Sequence, residues 1–168
     1  VDEAGDAVRK YEGLDMVRED DVFRSLAEDD GIVDPVADLL GPDLKLLRSA
    51  AMMKPPRVGS EQGLHQDAAY YPIHPRDHLT AWIPLDEATP ENGCMQVVPG
   101  GHLEGPKEHV TQEYATDIVI PEEEYDEYVA VPMDPGDVLF THCLTPHKTA
   151  PNTTDSPRWA LIDSYMHA

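Results

Sequence analysis

The spacing of apolar residues changes near residue 42, and this change divides the chain into two parts. In the first part, Val22, Phe23 and Leu26 recur at the interval that places them on one face of a helix. Asp20 or Asp21 precedes them and supplies the side-chain oxygen that caps a helix N-terminus. The pattern therefore predicts a helix in this segment.

A second helix is predicted where Asp34 and Pro35 provide an N-cap and a first-turn proline, and where Gly41 follows the last apolar pair. Together the two helices make residues 1–42 a helical flank. The chain begins at Val1 without a methionine, so we expect this flank to be incomplete.

After residue 42 the sequence changes to short apolar segments that are separated by prolines and glycines, as in Pro99-Gly100-Gly101. Many short strands with little helix between them predict a mainly β fold, a β-sandwich or jelly roll. We assign residues 43–168 to this β core and treat the chain as a single domain overall. The predicted strands span residues 43–53, 63–68, 78–84, 94–98, 116–120, 127–132, 137–143 and 158–166.

The composition narrows the classes of partner. The 168 residues contain 33 Asp and Glu against 12 Lys and Arg, which gives a net charge of −21. Such a charge repels polyphosphates and argues against nucleic acid and anionic membrane surfaces as partners. No apolar stretch approaches the ~18 residues of a membrane span. With two cysteines only, Cys94 and Cys143, we expect a globular protein of a reducing compartment, the cytoplasm.

The excess of acidic residues has two interpretations. It can serve only to keep a globular surface well hydrated, or it can be an adaptation to high salt, in which screening removes the mutual repulsion of the carboxylates. Acidic runs such as Glu19-Asp20-Asp21 and Glu122-Glu123-Glu124 are compatible with both.

The segment that points most directly to chemistry is Gly63-Leu64-His65-Gln66-Asp67. Residues two apart in a strand project from the same face, so His65 and Asp67 would present an imidazole and a carboxylate side by side. A third ligand would come from a distant strand, either His142 or His147. Two histidines and one carboxylate on one side of a metal form the facial triad of non-haem Fe(II) oxygenases. A solvated surface pair is the alternative for an isolated His-x-Asp.

The C-terminal part adds a second feature, because Arg158 follows His147 by eleven residues. An arginine beside a metal-binding histidine suits a dicarboxylate co-substrate such as 2-oxoglutarate, whose far carboxylate needs a bidentate cation. Thr149 is placed to add a hydroxyl. A surface ion pair is the alternative for Arg158.

Taken together, these motifs resemble the phytanoyl-CoA dioxygenase family of Fe(II)- and 2-oxoglutarate-dependent oxygenases. The resemblance extends from about Lys10 to Tyr165. The segments that carry it are Met53-Lys54-Pro55-Pro56, Leu64-His65-Gln66-Asp67, Ala81-Trp82-Ile83-Pro84-Leu85, Glu91-Asn92-Gly93-Cys94, Val98-Pro99-Gly100-Gly101-His102, Gly136-Asp137, His147 and Arg158.

The resemblance implies a double-stranded β-helix, which is a cupin-like jelly roll, with flanking N-terminal helices. It implies iron on His65, Asp67 and His147, and we choose His147 over His142 because the offsets to Thr149 and Arg158 fit only His147. It implies 2-oxoglutarate contacts from Arg158 and Thr149. In addition, the side chains implied to line the site or reach the co-substrate are Gln66, Trp82 and Lys10.

The reaction implied by the resemblance consumes O2 and 2-oxoglutarate and oxidises a small-molecule substrate. Because relatives that halogenate replace the metal-binding carboxylate by glycine or alanine, the presence of Asp67 favours hydroxylation. Two alternatives are a cupin-like protein that binds a metal or small molecule without catalysis, and a non-oxidative metalloenzyme on the same barrel.

If the surface is adapted to salt, the thermal midpoint should rise substantially as KCl increases from low to molar concentration. At ~0.01 M salt the Debye length is ~30 Å, so most carboxylates repel one another, and at ~1 M it shrinks to ~3 Å. Glycerol at low salt stabilises by exclusion without screening and should recover less. A midpoint that stays flat or falls across the KCl series would contradict the halophilic interpretation.

Overall fold

A computed structural model describes residues 11–111, 118–125 and 127–168 of the chain. Within these ranges it contains three α-helices and eleven strands, together with short 3-10 turns. The helices are α1 (Met16–Glu19), α2 (Asp21–Ala27) and α3 (Asp30–Leu40). The strands are β1 (Tyr11–Leu14), β2 (Leu44–Lys54), β3 (Gln62–His65), β4 (His78–Pro84), β5 (Met95–Val97), β6 (Val110–Thr111), β7 (Ile118–Val119), β8 (Val129–Val131), β9 (Leu139–His142), β10 (His147–Thr149) and β11 (Arg158–His167).

Two antiparallel sheets organise the fold. The first has the strand order β1-β2-β11-β4-β9 and the second has the order β3-β10-β5-β8, while β6 and β7 form a separate pair. From β2 to β11 successive core strands alternate between the two sheets, with one exception. β5 and β8, which follow each other apart from the separate β6–β7 pair, both belong to the second sheet and pair with each other. The first and last strands of this path, β2 and β11, lie side by side. This is the topology of a jelly roll, so the predicted fold class is confirmed.

The two faces of the first sheet contact different layers because successive side chains of a strand point to opposite faces. On β4, Leu79, Ala81 and Ile83 pack in one apolar cluster with Ile32 and Val36 of α3. The opposite face is turned towards the second sheet. Trp82 of β4 and Ala160 of β11 share a second cluster with Met95 of β5. Helix α3 therefore covers the outer face and leaves the inner face to line the space between the sheets.

The helices of the flank are confirmed, but one begins earlier than predicted. Asp20 accepts a hydrogen bond from the Val22 amide at 2.9 Å and caps α2. In α3, however, Asp29 is the cap and Pro35 lies inside the helix, so the predicted start at Asp34-Pro35 is wrong. The Asp29 carboxylate accepts a hydrogen bond from the Gly31 amide at 2.9 Å and so caps the helix. Pro35 has no N–H, and the helix tolerates the loss of that one internal hydrogen bond.

The flank also contains a strand that the sequence did not predict. Residues Tyr11–Leu14 form β1, which pairs antiparallel with β2 along the edge of the first sheet. Pairing with an exposed edge supplies backbone hydrogen bonds that no local pattern signals. Lys10 lies outside the described residues, so the structure does not test its predicted contact with the co-substrate.

The predicted strands of the core are largely present, with four differences. The strand predicted at 63–68 ends at His65. The strand predicted at 116–120 lies partly outside the described residues, and within them β7 spans Ile118–Val119. The short strands β6 and β10 were not predicted. Three residues are too few to show an alternating pattern, so β10 is defined only by its partners β3 and β5.

Candidate metal centre

His65 and His147 lie opposite each other on the paired strands β3 and β10, with their ring centroids 4.3 Å apart. The Asp67 Oδ1 atom is 3.7 Å from His65 Nε2 and 3.6 Å from His147 Nε2. One ligand atom from each of the three residues lies within 4.8 Å of the other two. The structure thus brings His147 to a pair of side chains, His65 and Asp67, from which it is far apart in the sequence.

The His-x-Asp geometry survives although the strand is shorter than predicted. β3 ends at His65, and Asp67 begins a 3-10 turn that continues to Ala69. Between them Gln66 keeps an extended backbone, with φ −114° and ψ 133°. Because of this extended residue, His65 and Asp67 still project to the same side.

Backbone carbonyls orient both imidazoles. The Nδ1 atom of His65 is 2.7 Å from the Gly63 carbonyl oxygen, and that of His147 is 2.9 Å from the Thr145 carbonyl oxygen. A carbonyl oxygen only accepts, so each Nδ1 carries the proton and donates it. The Nε2 atoms, which lack that proton, face the Asp67 carboxylate, as they do in metal sites where a backbone carbonyl fixes the tautomer of each histidine ligand.

The protonation states also suit a metal. Burial by itself would raise the pKa of Asp67, but the positive charge that the neighbouring imidazoles carry when protonated, together with the hydrogen bond from the Thr80 hydroxyl, outweighs this effect and holds the pKa below its usual range. Burial, with a contribution from His65, lowers the pKa of His147. An ionised carboxylate and a neutral imidazole are the forms that bind metal ions.

The remaining oxygen of the carboxylate is held by a residue that the sequence analysis missed. Thr80 Oγ1 donates to Asp67 Oδ2 at 2.8 Å and lies 3.2 Å from Ser164 Oγ. A signal was available, because Thr80 lies two residues before Trp82 and so on the same strand face. It is a hydroxyl in an otherwise largely apolar strand.

His142, the other candidate for the third ligand, lies elsewhere. It ends β9, its Nε2 is 3.6 Å from Asp77 Oδ1, and its ring centroid is 5.7 Å from that of His102. Its Nδ1 accepts the Leu144 amide at 3.1 Å. The structure therefore places His147, and not His142, beside His65 and Asp67.

The three residues open into a cavity of about 410 Å³ that lies between the two sheets. Its apolar lining includes Trp82, Met95 and Ile162. Thr149 and Arg158 line the same cavity. A volume in this range is typical of sites for small molecules.

Arg158 is a cation that lines the cavity and is only 3% exposed. Its Nη2 donates to the Gly93 carbonyl at 3.1 Å and its guanidinium carbon lies 5.2 Å from the Trp82 ring centroid. Burial lowers the pKa of Arg158 to about 10, so the guanidinium is still charged at neutral pH. Among the described residues its Nε finds no hydrogen-bond acceptor, and the same is true of the buried hydroxyl of Thr149.

The Gly93 carbonyl is presented to Arg158 by a turn that requires glycine. Gly93 has φ +83°, in the left-handed region, and a Cβ atom there would overlap the Ala150 carbonyl oxygen. Buried donors without acceptors are costly unless an acceptor enters the site. A guanidinium and a hydroxyl that share one cavity therefore suit a carboxylate, which accepts from both.

Gln66, predicted to line the site, points the other way. Its side-chain nitrogen Nε2 donates to the carbonyls of Gly105 and Leu144 at 3.0 and 2.7 Å, and its side-chain oxygen Oε1 accepts a hydrogen bond from the Lys107 backbone amide at 2.8 Å. As the immediate neighbour of His65 in an extended segment, it projects to the opposite face. Gln66 thus fastens the 105–107 loop behind the metal-facing side, whereas Trp82 does line the cavity.

A comparison with known families gives a match over nearly the whole chain. The family model described as phytanoyl-CoA dioxygenase (PhyH) matches residues 1–160. A methylphosphonate hydroxylase of Gimesia maris is 35% identical over 148 residues, which cover 85% of this chain and 53% of that protein. The chain spans about half the length of the curated relatives that it matches.

Two solved structures are similar to this fold. The non-heme alpha ketoglutarate dependent carbocyclase SnoK from nogalamycin biosynthesis has a TM-score of 0.83 and 35% identity, and the match covers 97% of this chain and 65% of SnoK. The epimerase SnoN, in complex with Fe3+, alpha ketoglutarate and nogalamycin RO, has a TM-score of 0.80 and 30% identity, with 95% and 64% of the two chains covered. Alpha ketoglutarate is 2-oxoglutarate.

No helix in the described part of the chain combines the length and the apolar character needed to cross a bilayer.

Proposed function

The chain belongs to the phytanoyl-CoA dioxygenase family, and from this premise we propose that it is an Fe(II)- and 2-oxoglutarate-dependent dioxygenase that hydroxylates an unactivated C–H bond of a small molecule. One atom of O2 enters the product as a hydroxyl and the other enters succinate, with release of CO2 from 2-oxoglutarate. The observation that carries the proposal is the presence, in one cavity, of a His-Asp-His cluster and a buried arginine whose Nε finds no hydrogen-bond acceptor among the described residues.

His65, Asp67 and His147 would hold the iron. Their three ligand atoms lie within 4.8 Å of one another and all three residues line the cavity, so a metal held by them would have positions open for co-substrate and O2. The ligand set is two imidazole nitrogens and one carboxylate oxygen, which is the set typical of non-haem Fe(II). Structural zinc sites differ, because most of their ligands are thiolates.

Arg158 and Thr149 would hold the far carboxylate of 2-oxoglutarate. Both donors are buried, and both retain hydrogen-bonding capacity that the described residues do not use. The guanidinium is fixed by the Gly93 carbonyl and by its contact with Trp82, so little side-chain freedom is lost on binding. This preorganisation supports a specific anion site, because an arginine that served only as a surface cation would not need to be held in one orientation.

When bound, iron and 2-oxoglutarate supply the activation of O2 and the oxidation of the C–H bond. The contribution of the chain is geometry and exclusion of water. The carbonyls of Gly63 and Thr145 hold the imidazoles, and Met95 and Trp82 form an apolar wall beside them. Such a wall keeps reactive species away from solvent.

Hydroxylation is favoured among the oxidations open to this family. Asp67 retains the carboxylate ligand, whereas a halogenase needs that position for a halide. The similarity to a methylphosphonate hydroxylase supports the same reaction class. The cavity of about 410 Å³ supports a substrate of small-molecule size.

The proposal predicts substrate-stimulated formation of succinate. The purified protein is incubated with Fe(II), 2-oxoglutarate and O2 against a panel of metabolites, and succinate and the oxidised product are measured by mass spectrometry. With ¹⁸O2, one label should appear in the product and one in succinate. His147→Ala should abolish the reaction, and His142→Ala, which changes a histidine outside the cavity, should retain it.

Two results of this experiment would contradict the proposal. Tight Fe(II) and ligand binding without succinate, for every metabolite that binds, would indicate a cupin-like binding protein. Turnover that proceeds without O2 and is supported equally by Zn(II) or Mn(II) would indicate a non-oxidative metalloenzyme.

The role of Arg158 predicts a selective defect. Arg158→Ala should weaken 2-oxoglutarate binding by about 2–5 kcal/mol, since a buried charge-assisted pair is lost. Arg158→Lys should recover only part of the affinity because lysine lacks the planar fork. Anaerobic titration of the Fe(II)-loaded protein with 2-oxoglutarate measures both variants, and Fe(II) affinity should be nearly unchanged.

A matched control is Arg57→Ala, which removes an exposed arginine that is paired with Asp155. This variant should bind 2-oxoglutarate like the wild type. Equal 2-oxoglutarate affinity in the wild type and in Arg158→Ala would contradict the co-substrate assignment.

A further inference from the structure

The two oxygens of the Asp67 carboxylate have different partners. Oδ1 faces the Nε2 atoms of His65 and His147 at 3.7 and 3.6 Å. Oδ2 accepts a hydrogen bond from Thr80 Oγ1 at 2.8 Å. The plane of the carboxylate is thus oriented so that one oxygen is directed towards the candidate metal position and the other is engaged elsewhere.

The direction of the hydrogen bonds can be assigned. An ionised carboxylate only accepts, so the single hydroxyl proton of Thr80 is committed to Asp67. Ser164 Oγ lies 3.2 Å from Thr80 Oγ1, and since Thr80 has no second proton, Ser164 is the donor of that bond. Protons therefore point from Ser164 to Thr80 to Asp67, and each hydrogen bond polarises the next.

This chain of hydroxyls is anchored in the most constrained part of the fold. Thr80 and Ser164 are register partners on β4 and β11, and each of these strands has neighbours on both sides in the first sheet. Both residues are nearly inaccessible, at 5% and 3% exposed. Asp67, by contrast, belongs to the turn that follows β3 of the second sheet. The chain thus fixes a turn residue to the rigid centre of the opposite sheet.

We propose that Thr80, oriented by Ser164, is a positioning residue that holds Asp67 as a one-oxygen metal ligand and keeps a coordination position free. The inference rests on the proposed metal binding by the triad. With one oxygen from Asp67, three of six positions remain for the two donor atoms of 2-oxoglutarate and for O2. If Oδ2 also turned to the metal, one of these positions would be lost.

The inference assigns Thr80 a role that packing alone does not require. A valine has nearly the same shape and would fill the same space, but it lacks the hydroxyl that donates to Asp67 and accepts from Ser164. What valine does not supply is the proton that holds Oδ2. The difference between threonine and valine at position 80 therefore isolates the hydrogen bond.

The test compares Thr80→Val with Thr80→Ser and with the control Thr141→Val. Thr141 is the register partner of Thr80 on β9 and also lines the cavity, but none of the described contacts joins it to Asp67. Fe(II) affinity is measured anaerobically, and the coordination number is followed by the visible absorption of Co(II) as a probe metal. Loss of an outer-shell partner typically weakens metal binding about 10–100-fold.

Thr80→Val should show that loss together with an altered Co(II) spectrum, and Thr80→Ser should restore both readouts because serine keeps the hydroxyl. Thr141→Val should resemble the wild type. Should Thr80→Val fail to fold, Ser164→Ala decides, because it removes the donor to Thr80 and leaves Thr80 in place. We expect a smaller loss of affinity from that variant.

The inference is overturned if Thr80→Val, or Ser164→Ala in its place, binds Fe(II) with wild-type affinity and an unchanged Co(II) spectrum. It is also overturned if Thr141→Val causes an equal loss, since the effect would then come from packing of the cavity wall. These results differ from a failure of the proposed function, in which the wild type itself would not bind Fe(II).

Discussion

His65 and His147 face each other because they are register partners on the antiparallel strands β3 and β10, next to a bulge that shifts the register before Thr149 pairs with Gln62, and the rest of the site is built around that pairing. A shift of one residue between two strands turns every side chain to the opposite face. Such a shift would replace His147 in the cavity by Lys148 and would also remove Thr149 from it. β10 is held against slipping from both sides, because it pairs with β5 as well as with β3. The ligand geometry therefore depends on backbone pairing across three strands.

The jelly roll allows polar groups to be buried at this place because its two faces have separate tasks. The outer face of the first sheet packs against α3 in an apolar cluster that contains Leu79, Leu161 and Tyr165. The inner face carries Thr80, Ser164 and Arg158 into the cavity. Burying a guanidinium whose Nε has no acceptor among the described residues costs stability, and the apolar clusters must offset that cost. A carboxylate that enters the cavity and pairs with Arg158 would reduce this cost. The buried cation that destabilises the free protein is therefore also the group proposed to recognise the co-substrate.

Local patterns predict those parts of the molecule whose cause is local. The jelly roll follows from short strands and turn residues, and the α2 cap follows from Asp20. His65 and Asp67 come together because they are two residues apart in an extended segment. The distance from His147 to Arg158 needed the resemblance to a family, because no rule of local structure connects a strand of three residues to the start of β11.

Features that depend on distant partners were not predictable in this way. β1 forms because an edge of β2 is available, and Thr80 acquires its role only when Asp67 approaches from the other sheet. The resemblance placed the Gln66 side chain in the cavity. His65 points into the cavity, so the next residue in the extended segment points to the opposite face, where the Gln66 side chain binds the Leu144 carbonyl. The same logic of strand faces that identified His65 and Asp67 would have corrected this placement.

The metal site proposed at His65, Asp67 and His147 can be tested by locating the metal in a crystal. Crystals of the protein grown anaerobically with Fe(II) and 2-oxoglutarate would be measured on both sides of the iron absorption edge. We expect one anomalous peak in contact with His65 Nε2, Asp67 Oδ1 and His147 Nε2, with 2-oxoglutarate between that peak and Arg158. A peak at His142 and Asp77, or full occupancy of 2-oxoglutarate away from Arg158, would contradict it.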